Sequence, residues 1–477
     1  MMRTSVQVLI IGGGPSGSTA ATLLARRGVQ VTLLERERFP RYHIGESLLP
    51  SCLPILDLLG AREKVDAFGF QRKEGAFYAW GPENWELRFD ELFGTEYSWQ
   101  VRRADFDQLL LEHARSQGVD VHEGVSVRKI NFDGDRAVSA EWERTVGPDG
   151  EADSGVIGFD YVIDASGRAG LLATKHHNSR RHHEVFKNVA LWGYWKNTKP
   201  FGCGPAGGIG VCSIPHGWLW QIPLHDGTVS VGAVITKEHL RQQQAEHADL
   251  ASIYHGHIAE SPLISNLVSG AELSTEVKAE TDYSYVTERF GGPGYLIAGD
   301  AACFLDPLLS TGVHLAMYSA LLAAATVSSV LLDGVAAADA MDFYEKAYRT
   351  TYERLLVLVT VFYQAYRGRD EQFFTAQRLT RREKGQLKLH EAFLNITTGL
   401  EDLADVTDQD LAFEAVARDL TGPETDAGNP LAHHNIDMLQ PPDDPGRSLA
   451  GLYLTFEPTL RLRYADSSEP EPAVSLS

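Results

Sequence analysis

A chain of 477 residues with 43% hydrophobic side chains is long enough to bury a large core in two or three structural units. Its 64 acidic residues outnumber 43 lysines and arginines, for a formal net charge of -21; this argues against nucleic-acid binding, which needs clustered cations to neutralise phosphates. Cys52, Cys203, Cys212 and Cys303 are scattered without C-x-x-C spacing, so neither a disulfide framework nor a zinc site is expected.

The first element is the apolar run from Val6 to Ile11, too short for a signal core or a membrane span and without a cleavage site, so a cytoplasmic protein with no membrane segment is expected. Gly12-Gly13-Gly14-Pro15-Ser16-Gly17 follows, then a helix expected over Ser16 to Arg27 and stopped by Gly28, then a buried strand from Val29 to Leu34 that ends at Glu35. This strand, turn, helix and strand predict a dinucleotide site. Gly12 permits the tight turn, Gly14 lets a pyrophosphate approach the backbone, and Gly17 allows close helix packing. Pro15 and Ser16 begin the helix, whose N-terminus offers free N–H donors, and Glu35 is placed to accept hydrogen bonds from a ribose.

Further along, Asp105 to Gln117 reads as an amphipathic helix closed by Gly118. Val119 to Val162 alternates like a meander with turns at Asp133-Gly134-Asp135 and Gly147-Pro148-Asp149-Gly150, and Lys187 to Val234 is again rich in strand formers. A strand from Gly294 to Ala298 runs into Gly299-Asp300, and a long helix is expected from about Gly312 to Leu332. After Gly334 the pattern is helical through Phe343 to Tyr366 and Gln372 to Asn395 and then loses regularity; Thr421 to Ser448 is rich in Pro, Gly and Asp, and Ser467 to Ser477 reads as a mobile tail. The pairs His176-His177, His182-His183 and His433-His434 are expected in solvated loops, because adjacent residues diverge on a helix and alternate on a strand; no metal site is expected. The whole predicts an α/β fold. A Rossmann-like dinucleotide domain takes 1–75, 100–170 and 290–333, a second mixed or antiparallel sheet takes 76–99 and 171–289, and 334–477 forms a mainly helical C-terminal region.

Two stretches narrow the cofactor. Tyr161 to Gly167 (YVIDASG) resembles the Asp-Gly region of flavoprotein monooxygenases, and Tyr295 to Ala302 (YLIAGDAA) resembles their second FAD fingerprint. The resemblance implies FAD, with Asp300 on the ribityl chain and Arg103, in the segment Val101 to Asp107, close to the flavin.

Four more stretches are similar to flavin-dependent halogenases: Tyr42 to Pro50 (YHIGESLLP), Phe70 to Gly75 (FQRKEG) followed by Trp80-Gly81, Trp218 to Pro223 (WLWQIP), and Asp306 to Leu315 (DPLLSTGVHL). The resemblance implies a flavin-covering loop with Ile44, Gly45, Glu46 and Ser47, further flavin contacts at Pro307, Gly312 and Val313, and a halide held at Thr311-Gly312. That step also reads as a plain helix cap. Trp218, Trp220, Ile222 and Pro223 would wall the flavin off from substrate. Lys73 stands where the family keeps its catalytic lysine.

The implied chemistry takes reduced FAD from a separate flavin reductase, with O2 and chloride, and makes hypochlorous acid. An ammonium at Lys73 can hydrogen-bond that acid, and a neutral amine can form a chloramine; burial lowers the pKa and favours the second. Either way Lys73 aims electrophilic halogen at an electron-rich ring, a phenol or pyrrole, free or tethered to an acyl or peptidyl carrier protein, in secondary metabolism. Tryptophan-specific members carry glutamate immediately before the Ser-Thr-Gly step; this chain has Leu309, so free tryptophan is not the expected substrate. Two other readings compete: an NAD(P)H-dependent hydroxylase or prenyl reductase of the same fold, and a flavin-binding protein without catalysis. Both leave Lys73 and the tryptophan run without a task.

Overall fold

The computed structural model describes residues 2–81, 83–91, 97–144, 153–183, 187–246, 249–281, 284–366, 442–443, 445–456 and 458–465. β1 (Ser5–Ile11), α1 (Pro15–Arg26) and β2 (Val31–Glu35) form the opening unit. Val8, Leu9 and Ile10 are fully buried on both faces of the sheet, which is why the run is continuously apolar and not alternating.

The first sheet runs Gly291–Gly292, Tyr295–Ile297, Asp153–Asp164, β1, β2, Asp120–Glu123. The four pairings from Tyr295–Ile297 to Asp120–Glu123 are parallel. Asp153–Asp164 serves three partners: its first half pairs antiparallel with Arg136–Arg144, and its second half pairs parallel with β1 on one side and, at its end, with Tyr295–Ile297 on the other. Its last residues therefore arrive beside the glycine turn. α1 packs against helices Arg103–Ser116 and Gly312–Leu332. The latter is apolar and long enough to cross a membrane, yet its side chains from Val313 to Ser329 are buried inside the fold.

The second sheet runs Glu272–Leu273, Asn188–Lys196, Val229–Thr236, Gly217–Pro223, Ile209–Ile214, Gly75–Trp80, Glu83–Arg88; its members pair antiparallel except Ile209–Ile214 with Gly75–Trp80. Strand alternation divides the WLWQIP run. Trp218, Trp220 and Ile222 join the main core, while Leu219 joins a second apolar cluster under helices Leu250–Glu260 and Pro262–Val268. Those two helices are capped by Asp249 and Ser261, whose side chains accept from the N–H groups of Ser252 and Ile264.

Among the described residues, the C-terminal region adds an unexpected hairpin to its long helix. Helix Ala337–Tyr366 is present, but Leu452–Thr455 and Arg461–Tyr464 form an antiparallel hairpin that packs on helix Gly312–Leu332, with Leu462 N donating to Ser329 Oγ at 2.8 Å. A four-residue strand held mainly by distant contacts leaves little local signal. The expected Gln372 to Asn395 helix, the Gly147 to Gly150 turn, His433-His434 and the Ser467 to Ser477 tail lie outside the described residues. The other histidine pairs straddle element ends: His176 closes the helical turn Leu171–His176 and stacks on Phe132 with ring centroids 4.0 Å apart, His182 ends strand Arg180–His182, and His177 and His183 lie just beyond; His176, His177 and His182 are exposed, as expected.

Candidate active site

A cavity of about 1050 Å³ lies between the first sheet and the inner face of the second. At its near end Gly12, Gly14, Pro15 and Ser16 line the wall, with Glu35 beside them. Gly12 has φ +103°, and a Cβ there would stand 2.3 Å from the Ala165 carbonyl. Gly17 does not line the cavity; a Cβ on it would stand 1.9 Å from the Gly12 carbonyl, so it permits helix and turn to touch. Glu35 is buried and accepts from Gly13 N at 2.6 Å and Glu37 N at 2.8 Å, which holds the turn against the end of β2. Ser16 Oγ and Arg41 Nη1 are buried without a hydrogen-bond partner among the described residues, and Arg41 Nη2 lies 3.2 Å from where a Cβ on Gly14 would be. A glycine cradle at a helix N-terminus, flanked by orphaned donors, fits the pyrophosphate of FAD.

At the far end the lining comprises Ile44, Gly45, Glu46, Ser47, Arg103, Asp300, Pro307, Gly312 and Val313. Arg103 is buried and makes a fork on Asp107, with Nε–Oδ1 2.7 Å and Nη2–Oδ2 3.0 Å, while its Nη1 donates to the carbonyls of Ile44 at 3.0 Å and Gly45 at 3.3 Å. It thereby clamps the loop that borders the cavity. Burial pushes Asp300 up to about 6, against the pull of the Arg103 guanidinium.

Trp218, Trp220 and Ile222 line the opposite wall; Pro223 lies outside the lining. Trp220 donates to Ser230 Oγ at 3.2 Å and its ring covers Gly232, where a Cβ would stand 2.1 Å away. Thr311 is 1% exposed, its hydroxyl has no partner among the described residues, and it does not line the cavity, whereas its neighbour Gly312 does. The helix opening at Gly312 thus turns its positive end toward that space.

Lys73 sits apart. Strand Gln71–Lys73 pairs with Ser98–Gln100, Ser47 bridges to Gln100, and Leu48 N donates to Trp99 O at 3.0 Å, so loop and lysine strand form one hydrogen-bonded patch. The lysine is 2% exposed, donates from Nζ to Leu48 O at 3.0 Å, and lies 5.5 Å from the centre of the Phe89 ring. Burial pushes its amine down to about 7, opposed by the Cys52 thiol. It does not line the cavity.

A family model described as tryptophan halogenase matches residues 7–94 and 86–403. The chain belongs to the flavin-dependent halogenase family. It is 46% identical over 410 residues to a tryptophan 2-halogenase of Chondromyces crocatus, covering 85% of this chain and 77% of that one. It is 35% identical to a flavin-dependent halogenase of Armillaria mellea, covering 87% and 82%. Among solved structures it is similar to the myxobacterial chondrochloren halogenase CndH, with TM-score 0.72 and 33% identity over 88% of this chain and 95% of that one. It is also similar to the flavin-dependent brominase Bmp2, with TM-score 0.73, 25% identity and coverage of 87% and 99%. This halogenase is accordingly an FAD-dependent oxidoreductase that uses chloride and O2 and depends on a separate flavin reductase. The name of the Chondromyces relative runs against the expectation that Leu309 excludes tryptophan. Leu309 is 2% exposed and outside the cavity lining, so it does not support that exclusion.

The sequence reading missed several residues. Asp107, fully buried, also pairs with Arg41 at 3.4 Å and so positions two arginines on the cavity; its place four residues after Arg103 on one helix was a legible signal. Trp192, Arg180 and Lys278 line the cavity from strands distant in sequence, and no local pattern marks them; His182, expected only as a solvated loop residue, lines it too.

Proposed function

We propose that this halogenase makes hypochlorous acid in the flavin cavity and that Lys73, one protein layer away, delivers the halogen to an electron-rich aromatic ring. When bound, reduced FAD would supply two electrons to O2, and O2 is the oxidant that converts chloride. The observation that carries the reading is the buried amine of Lys73, hydrogen-bonded to a carbonyl in the loop behind the cavity wall. Near neutral pH such an amine exists in both forms, so it can hold hypochlorous acid by a hydrogen bond or take chlorine directly.

The remaining roles follow from chemistry. The turn Gly12 to Gly17 and Glu35 hold the adenosine end of FAD, Arg103 and Asp300 its flavin end, and the Thr311-Gly312 step, at a helix N-terminus, holds chloride. Trp218 and Trp220 keep substrate away from the flavin, so that halogen and not oxygen is transferred. A phenol or a pyrrole fits electrophilic substitution, and the name of the Chondromyces relative adds an indole; the ring arrives free or on a carrier protein. We place the reaction in secondary metabolism and in the cytoplasm.

Mass spectrometry of phenol, pyrrole and indole substrates after reaction with chemically reduced FAD, O2 and chloride tests this reading. A chlorine isotope doublet is expected, and omission of halide should abolish it. Hydroxylated product with rapid NADPH oxidation by the protein alone would instead support the hydroxylase.

A further inference from the structure

Halogenation as proposed above consumes a proton: RH + Cl– + O2 + FADH2 + H+ → RCl + FAD + 2 H2O. The proton is taken up where chloride becomes hypochlorous acid, in the cavity walled by Trp218 and Trp220, and it has to reach that wall. A line of hydroxyl groups runs from Tyr42, a half-exposed member of the cavity lining, to Glu46, buried in the same wall. Tyr42 is 48% exposed; its Oη lies 3.2 Å from Tyr194 Oη, and Tyr194 Oη donates to Glu46 Oε1 at 2.6 Å. Glu46 is 3% exposed and lines the cavity.

The order of the protons is set by a fourth group. Trp192 Nε1 donates to Tyr42 Oη at 2.7 Å, which occupies an acceptor position on that oxygen and directs its own proton to Tyr194. Tyr194 then donates to Glu46, so each bond points inward. The two phenol rings meet edge to face at 89°, and Lys278 Nζ stands 4.5 Å from the centre of the Tyr42 ring.

We propose that Tyr42, Tyr194 and Glu46 form the path by which the proton consumed in each halogenation is carried from the half-exposed edge of the flavin cavity to its buried wall. Glu46 gives up its carboxyl proton into the cavity, Tyr194 passes its hydroxyl proton to Glu46, Tyr42 passes its own to Tyr194, and water reprotonates Tyr42; nothing is oxidised or reduced. Burial raises Glu46 to about 7, with the hydroxyls of Tyr194 and Ser230 and the guanidiniums of Arg102 and Arg103 opposing, so the carboxyl both holds and releases a proton near neutrality. Burial holds Tyr42 up at about 12 and Tyr194 higher still, so both phenols stay protonated and move protons by concerted shift.

The path rests on the halogenase reading, and two arms separate them. In flavin-free protein, difference infrared spectroscopy follows the carboxyl C=O band of Glu46, identified by its loss in Glu46→Gln. Tyr194→Phe removes a hydrogen bond to the carboxylate and is expected to move the midpoint of that band upward in pH; an unmoved midpoint overturns the chain of bonds. In reconstituted enzyme, Tyr42→Phe and Tyr194→Phe keep the rings but are expected to slow halogenation about tenfold, lower the solvent isotope effect, and be partly rescued by imidazolium buffer. Parent rates and an unchanged isotope effect in both variants overturn the path. If Tyr194→Phe does not fold, the exposed Tyr42→Phe carries the kinetic arm. If the parent itself does not halogenate, the functional reading fails, while the infrared arm still decides on the chain of bonds.

Discussion

Lys73 Nζ donates a 3.0 Å hydrogen bond to the carbonyl of Leu48, the residue that follows Ser47 on the wall of the flavin cavity. A neutral carbonyl does not offset the desolvation of an ammonium, and burial consequently pushes the amine from 10.5 to about 7. The same bond fixes the amine behind the loop of Ile44 to Ser47 that borders the cavity.

That displacement is also a stability statement. It corresponds to about 5 kcal/mol, at ~1.4 kcal/mol per pH unit. Below pH 7 the amine is protonated both folded and unfolded, and the full cost of burying the charge is present; between pH 7 and 10.5 the unfolded chain binds more protons, so stability rises with pH; above 10.5 the cost is gone. Lys73→Met is expected to gain about 2–4 kcal/mol at pH 6, less than the full amount because Leu48 O loses its donor. The advantage should disappear by pH 10. Denaturant unfolding of both proteins at the two pH values checks the sign, and a difference independent of pH would show that the amine is not desolvated.

Gly17→Ala and Gly28→Ala are expected to behave differently. A Cβ at Gly17 collides with the Gly12 carbonyl at 1.9 Å, inside the cradle, whereas Gly28 has φ +83° with open space around it. The second change should cost about 1 kcal/mol of backbone strain and leave FAD affinity intact. The first should abolish FAD binding and lower stability by about 3 kcal/mol or more. Flavin fluorescence titration and thermal melts distinguish them.

Trp220→Ala removes a ring packed over Gly232 and a bond to Ser230. A stability loss of about 3–5 kcal/mol is expected from the void. If the ring also bars substrate from the flavin, hydroxylated product or hydrogen peroxide should rise at the expense of halogenated product, measured per flavin oxidised.

Asp107→Asn keeps the shape of the side chain but removes the charge that pairs with Arg103 and Arg41. The buried Arg103 and the half-buried Arg41 then lose the carboxylate they share beside the cavity. FAD affinity is expected to fall about tenfold, with turnover at saturating FAD less affected; unchanged affinity would limit Asp107 to a packing role.

Much of this arrangement was legible in the sequence where the physics is local. The continuous apolar run of β1, the glycine turn and Glu35 report a buried parallel strand and a helix N-terminus within one short segment, and the long helix was read with its bounds at Gly312 and Leu332. The alternation in WLWQIP carries its division between two cores for the same reason. What was not legible depends on distant residues meeting. Arg41 and Asp107 are 66 positions apart, and Tyr42 and Tyr194 are 152 apart. The hairpin that closes against Ser329 is too short to announce itself. The substrate inference from Leu309 lacks support for a different reason, since a single side-chain difference was read without knowing whether it faces the site.

The most direct test of oxidant made in one place and used in another compares parent and Lys73→Ala under reduced FAD, O2 and chloride, with free hypochlorous acid trapped by added taurine while product is followed by mass spectrometry. The parent is expected to give chlorinated aromatic and little trapped oxidant. The variant should oxidise flavin at a similar rate, lose chlorinated product at least about a hundredfold, and release its oxidant to taurine, which corresponds to about 2.7 kcal/mol of lost transition-state stabilisation. Chlorination by Lys73→Ala at the parent rate, with the same regiochemistry, would contradict any role for that amine.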